Sequence, residues 1–245
     1  MNKIIYVGND KWSRCLTSII DVEELVVAHV FLPSNATSLR QICLDNDISY
    51  TVTSNINDNK NDIMLLEFDF FVVMGHPYLL KRDLLELRPG IGFHPSMLPQ
   101  RRGRAPINWA IIDGLEEIGV SLFHLDYGVD SGNIIFQQTI PIDNNDTAAN
   151  LVTKISEVLV ANLGQILVAW PNLPSIEQDD NYASYTDKRE PKHGEITKDM
   201  TASEAARLVR ALNGPYPSAF IVMENGEKLY ICLLYTSDAA DEDLR

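Results

Sequence analysis

At 245 residues with 45% hydrophobic content, the chain can bury the core of one α/β domain plus a modest appendage, and it is no short disulfide scaffold. A formal charge of −14 argues against a broad polyanion-binding surface, because nucleic-acid affinity comes largely from lysines and arginines that neutralise phosphates. Three cysteines, Cys15, Cys43 and Cys232, show no CxxC pairing and no His at metal spacing, so neither a metal site nor a disulfide framework is expected and a reducing compartment is the default.

Lys3–Val7, Leu25–Leu32 and Phe68–Met74 are short apolar runs bounded by Gly, Pro, Asn or Asp, as buried parallel strands are. Between and after them, Trp12–Ile20, Ser38–Leu44 and Lys81–Leu87 carry apolar residues at helical spacing. Strand followed by helix, repeated, predicts an α/β fold with a Rossmann-like, doubly wound, mostly parallel sheet. The first turn, GNDKWS, has one glycine and lacks GxGxxG, which removes the main support for hydride chemistry on a dinucleotide. Further on, Gly119–Leu125 and Ile134–Ile142 read as strands, and Thr147–Trp170 as a long helix with Asp146 as its N-cap. No leader with a cleavage site precedes the first strand and no run approaches eighteen apolar residues, so a cytoplasmic chain with no membrane partner is expected.

The predicted organisation is a catalytic domain over 1–170, a polar linker over 171–200 and the start of a truncated small C-terminal domain over 201–231. Residues 232–245 depart from everything before them, and Cys232–Glu242 (CLLYTSDAADE) reads as a translated transposon-end sequencing adapter, so this stretch is set aside from fold reasoning. The chain stays acidic without it.

The densest region runs from Gly90 to Gly132. His94 with SMLP around Leu98, RGRAP at Arg102–Pro106, Asn108-Trp109 and GVDSG at Gly128–Gly132 follow in order, with 36 residues from His94 to Asp130. KREPKHGEI at 188–196 and VRALNGPYPSAF at 209–220 follow later. In these pieces the chain resembles the folate-dependent formyltransferases, which act on methionyl-tRNA, glycinamide ribonucleotide or amino-sugar nucleotides. The resemblance spans nearly all of the chain before the tail, and it implies 10-formyltetrahydrofolate as co-substrate and an amine as acceptor.

The chemistry says why such residues are wanted. An amine attacks the formyl carbon, charge collects on oxygen in a tetrahedral intermediate, and a proton leaves the attacking nitrogen, so a base and an oxyanion stabiliser are needed. The resemblance implies that His94 accepts the proton, or donates to the oxyanion as imidazolium, and that Asp130 orients its ring. The family also has an Asn two residues before this His; here the position is Gly92. Losing one such donor costs about 2.7–4 kcal/mol, so His76, Ser96 or Asn108 is expected to compensate, or the enzyme is slow, or the predicted strand that ends at His94 is locally shortened, or the chain binds without turnover.

By the same resemblance, Tyr78, Leu79 and Leu80 with Asp126, Tyr127, Gly128 and Val129 form loops that grip the pterin, largely through backbone, and Arg104 contacts the folate or nucleotide. The wording RGRAPINWAIIDG is similar to enzymes that formylate 4-amino sugars on nucleotide carriers, implying a UDP- or dTDP-amino sugar as acceptor. The acidic to neutral segment Asn46–Asp62 speaks against a tRNA partner. A methionyl-tRNA enzyme and a non-catalytic folate- or nucleotide-sugar-binding homologue are the alternatives, and a homodimer is left open.

Overall fold

The computed structural model describes residues 1–170, 172–214 and 216–232. Of the stretch 232–245, all but Cys232 lies outside them. The chain divides into two compact units. The first comprises Met1–Arg102, Gly119–Thr139 and Lys154–Tyr185, and the second Gly103–Ile118, Ile140–Thr153 and the chain from Thr186.

The sheet contains β1 (Asn2–Gly8), β2 (Leu25–Leu32), β3 (Tyr50–Val52), β4 (Phe70–Met74), β5 (Gly90–His94), β7 (Glu117–His124) and β8 (Ile134–Pro141), in the order β3-β2-β1-β4-β5-β7-β8. β6 (Arg102–Gly103) pairs separately with β9 (Tyr185–Thr186). Neighbours from β3 to β5 run parallel, and β7 runs antiparallel to β5. This is the α/β, Rossmann-like class expected from the apolar runs. Every residue of β4 and β5 is buried, as in a sheet covered on both faces. Ile5, Val7, Phe71 and Val73 share one core cluster with Ile56, Ile63, Leu80 and Leu84. The helices α1 (Ser13–Ile20), α2 (Ser38–Asp45), α3 (Lys60–Ile63) and α4 (Arg82–Leu85) occupy the crossovers. The N-terminus of α2 is capped by Asp10, whose carboxylate accepts from the backbone N–H groups of Thr37, Ser38 and Leu39.

Helix α6 (Ala148–Ala169) is long and apolar enough to cross a membrane by length and composition. Yet Leu151, Ile155, Leu159, Leu163 and Leu167, spaced by four, are fully buried in the protein. At about 1.5–3 kcal/mol per buried aliphatic side chain, that stripe accounts for the apolar composition. Its cap is Thr147, whose Oγ1 accepts from the Asn150 N–H while Asn150 Oδ1 accepts from the Thr147 N–H. Asp146, the expected cap, instead accepts from the Asp143 N–H and closes the preceding turn. Asp and Thr both suit an N-cap, and composition alone cannot choose between adjacent candidates.

In the second unit, α5 (Pro106–Ile112) packs with α7 (Ala202–Ala211). Asn108 Nδ2 donates to the Ala211 carbonyl at 2.6 Å and Arg207 Nε to the Ile112 carbonyl at 3.0 Å. α7 opens on a reciprocal Thr201–Glu204 capping box. Leu208, Val209, Leu212 and Ala219 form a small core with Ile112, Ile196 and Ile231, and β10 (Ala219–Val222) pairs antiparallel with β11 (Lys228–Ile231). Residues 172–185, the first half of the predicted linker, belong to the first unit. Ile176 exchanges two backbone hydrogen bonds with Ile134, and the Ser184 carbonyl accepts from the Arg102 N–H.

Candidate active site

β5 ends on His94, which the strand buries to 4% exposure. Its Nε2 lies 2.8 Å from the Arg101 carbonyl. A carbonyl only accepts, so Nε2 carries the proton. Arg101 reaches this position in the left-handed region, φ 58°, which an arginine seldom adopts, and such local strain gathers at functional sites. Nδ1 faces Asp130 Oδ2 at 3.4 Å. The two residues expected to work together are thus brought together, 36 positions apart in the chain.

Asp130 sits in the loop between β7 and β8, also left-handed at φ 52°, a conformation that aspartate tolerates. The loop is tied from within. Asp126 accepts from the Gly128 N–H at 3.0 Å and from the Ser131 hydroxyl at 2.8 Å. Gly132 is required by close approach, since the space for a Cβ is filled by the His124 carbonyl. Such an arrangement can fix the His94 ring and balance the charge of an imidazolium formed during proton transfer.

Of the other expected residues, Tyr78, Leu79, Tyr127 and Val129 are exposed, and Tyr127 lies under the Arg82 guanidinium at 4.4 Å. Leu80 is buried in the core and can offer only backbone to a ligand. Arg104 is exposed and belongs to the second unit, its backbone N–H bonded to the Thr186 carbonyl. Arg102, the first residue of RGRAP, is 2% exposed. It meets Gln178, from the polar stretch read as linker, and Gln178 in turn holds the Asp130 loop. A polar segment with no motif gave no signal for this.

A family model described as formyl transferase matches residues 34–166. The chain belongs to the formyl transferase family. The methionyl-tRNA formyltransferase of Ehrlichia ruminantium (strain Gardel) is 30% identical over 244 residues, covering 94% of this chain and 78% of that protein. The structure of a 4-N formyltransferase from Francisella tularensis matches at TM-score 0.78 and 22% identity, over 96% of this chain and 98% of the other. An N-formyltransferase from Helicobacter canadensis, solved with folinic acid and dTDP-3-aminofucose, matches at TM-score 0.65 and 21% identity, over 86% and 80%. The protein is a formyltransferase with 10-formyltetrahydrofolate as its donor.

In this formyltransferase Gly92 is a true strand position. β5 pairs in unbroken register with β4 (Val73 opposite Gly92) and β7 (Phe123 opposite Gly92), with no bulge at this position. A Cβ at Gly92 would meet Leu125 Cδ2 at 2.6 Å and the Phe123 ring at 3.0 Å. Apolar side chains therefore fill the room an Asn would take. Among the three proposed substitutes, the Ser96 hydroxyl donates to the Gln100 carbonyl and the Asn108 amide to that of Ala211. His76 Nε2 is buried and makes no hydrogen bond among the described residues, and burial pushes the His76 pKa down to about 4, leaving a neutral ring. His76 follows β4, whose Val73 stands beside Gly92, two residues short of His94.

Proposed function

We propose that this formyltransferase transfers the formyl group of 10-formyltetrahydrofolate to the primary amine of a nucleotide-linked amino sugar, in the cytoplasm. The observation that carries the choice of acceptor is charge. Between Asn46 and Asp62 the chain holds Asp47, Asp58 and Asp62 against one lysine. That Lys60 is paired with Asp83 at 3.1 Å. A tRNA acceptor needs uncompensated cations near its phosphates. The likeness in fold to the N-formyltransferase solved with dTDP-3-aminofucose supports the same choice, while the methionyl-tRNA relatives keep that substrate as the second reading.

In this reading His94 takes the proton from the attacking amine and Asp130 holds the ring and its charge. A base needs an unprotonated ring nitrogen within hydrogen-bond reach of the reacting atom, so once the substrate replaces the Arg101 carbonyl at Nε2 the ring's own proton sits on Nδ1, toward Asp130, and Nε2 is free to accept. His76 is the donor left to meet the oxyanion in place of the family's Asn. Tyr78, Leu79, Leu80 and the Asp126–Val129 loop receive the pterin, Arg104 the folate or nucleotide, and 201–231 begins the C-terminal domain. The test is tetrahydrofolate release from 10-formyltetrahydrofolate with a panel of UDP- and dTDP-amino sugars, with His94→Ala as control. Turnover with one sugar, lost in the variant, is expected; turnover with methionyl-tRNA alone overturns the acceptor.

A further inference from the structure

We propose that Gln178, oriented by the buried Arg102, is a positioning residue that fixes the loop bearing Asp130 so that its carboxylate meets His94. Gln178 is 8% exposed, and its amide is fully used. Nε2 donates to the backbone carbonyls of Asp130 at 2.9 Å and Gly132 at 2.7 Å. Oε1 accepts from Arg102 Nε at 3.0 Å and Nη2 at 2.9 Å. Arginine has donors only, so the amide cannot be turned around: its oxygen must face Arg102 and its NH2 must face the loop. The guanidinium is itself held, by the Tyr185 hydroxyl at 3.1 Å and by Asp180 at 2.9 Å, which supplies the countercharge a buried cation requires. Asp130 is thereby fixed from its own carbonyl, and Gly132 two residues on, with its side chain facing His94. Asp126 ties the same loop from the other side through Gly128 and Ser131. All of these residues lie in the first unit.

The inference rests on the reading of His94 and Asp130 as the reacting pair, and the test separates the two. Gln178→Glu keeps the size and the bonds from Arg102 but removes both N–H donors to the loop. The first measurement needs no acceptor: hydrogen exchange of peptides covering 125–133, expected to quicken roughly tenfold while β1 and β4 are unchanged. Unchanged exchange in the loop overturns the proposal. The second is turnover. Gln178→Glu is expected to lower kcat roughly 10- to 100-fold, as loss of a supporting hydrogen bond does, with KM for the donor within about twofold. In an Asp130→Asn background Gln178→Glu is expected to add no further loss, because it acts through that carboxylate. A fully additive loss means a general structural role and overturns the proposal. If Asp130→Asn and His94→Ala keep wild-type turnover, the reading of the pair fails instead. Loss in those variants with none in Gln178→Glu defeats this inference alone.

Discussion

Two loops of the first unit, both expected to serve the reaction, are built in opposite ways. The loop after β7 turns its polar side chains inward. Asp126, Ser131 and the incoming Gln178 lock its backbone, and Asp130 emerges at a fixed angle to His94. The loop after β4 turns Tyr78 and Leu79 outward, about half exposed, and is held from beneath by Asn57, which bonds the Leu79 carbonyl and the Lys81 N–H. A group that must guide a proton needs a fixed position to within a fraction of an ångström. A group that covers a flat ring needs only area. In the proposed function, the loop tied by the larger number of side-chain hydrogen bonds is the one that guides the proton.

The largest effect is expected at the loop after β7. Asp130→Asn keeps the shape and removes the charge beside His94, and kcat is expected to fall about 10²- to 10⁴-fold; single-turnover formyl transfer measures it. A loss below tenfold would mean that the fixed geometry does not serve the chemistry.

The next effect lies in the other loop and in stability. The folded protein keeps His76 neutral, its pKa down at about 4, while the unfolded chain takes up a proton below about 6.5. Stability from this group is therefore complete above pH 6.5 and lost as pH falls toward 4, by up to about 3 kcal/mol. Urea unfolding at several pH values between 7 and 4, with His76→Gln as reference, should show the wild type losing more. Parallel curves contradict the burial of His76.

Gly92→Asn restores the family's residue but drives it into Leu125 and Phe123. A loss of about 1–3 kcal/mol is expected, seen as a fall in Tm of roughly 2–4 °C for each kcal/mol. Adding Leu125→Ala should recover part of it. An unchanged Tm in the single variant means the strand accommodates the side chain freely.

The smallest effect sharpens the contrast. Tyr78→Ala with Leu79→Ala is expected to raise KM for 10-formyltetrahydrofolate about tenfold with kcat nearly unchanged, the mark of binding lost equally from ground and transition states. A fall in kcat of the same size would make the outer loop as exacting as the inner one.

Much of this was legible in the sequence because it is written locally. KIIYV, LVVAHVFL and the FFVVM of FDFFVVM are strands because both faces of a parallel sheet are covered, and His94 ends a further strand, Gly90–His94. Tyr50–Val52 is not legible in the sequence because a three-residue edge strand carries no periodicity. Arg102 and Arg104 look equivalent in RGRAP, yet one is buried and the other exposed. What separates them is Gln178, 76 residues on from Arg102 in a stretch whose composition says only that it is polar. Long-range hydrogen bonds leave no local pattern, so the support for Asp130 became visible only in three dimensions.

The acceptor and the role of His94 are decided together by the ratio of kcat/KM for an amino-sugar nucleotide to that for methionyl-tRNA, taken side by side with 10-formyltetrahydrofolate as donor and repeated in His94→Ala. A ratio far above one that vanishes in the variant is the predicted result. A ratio below one, or a rate untouched by loss of His94, contradicts it.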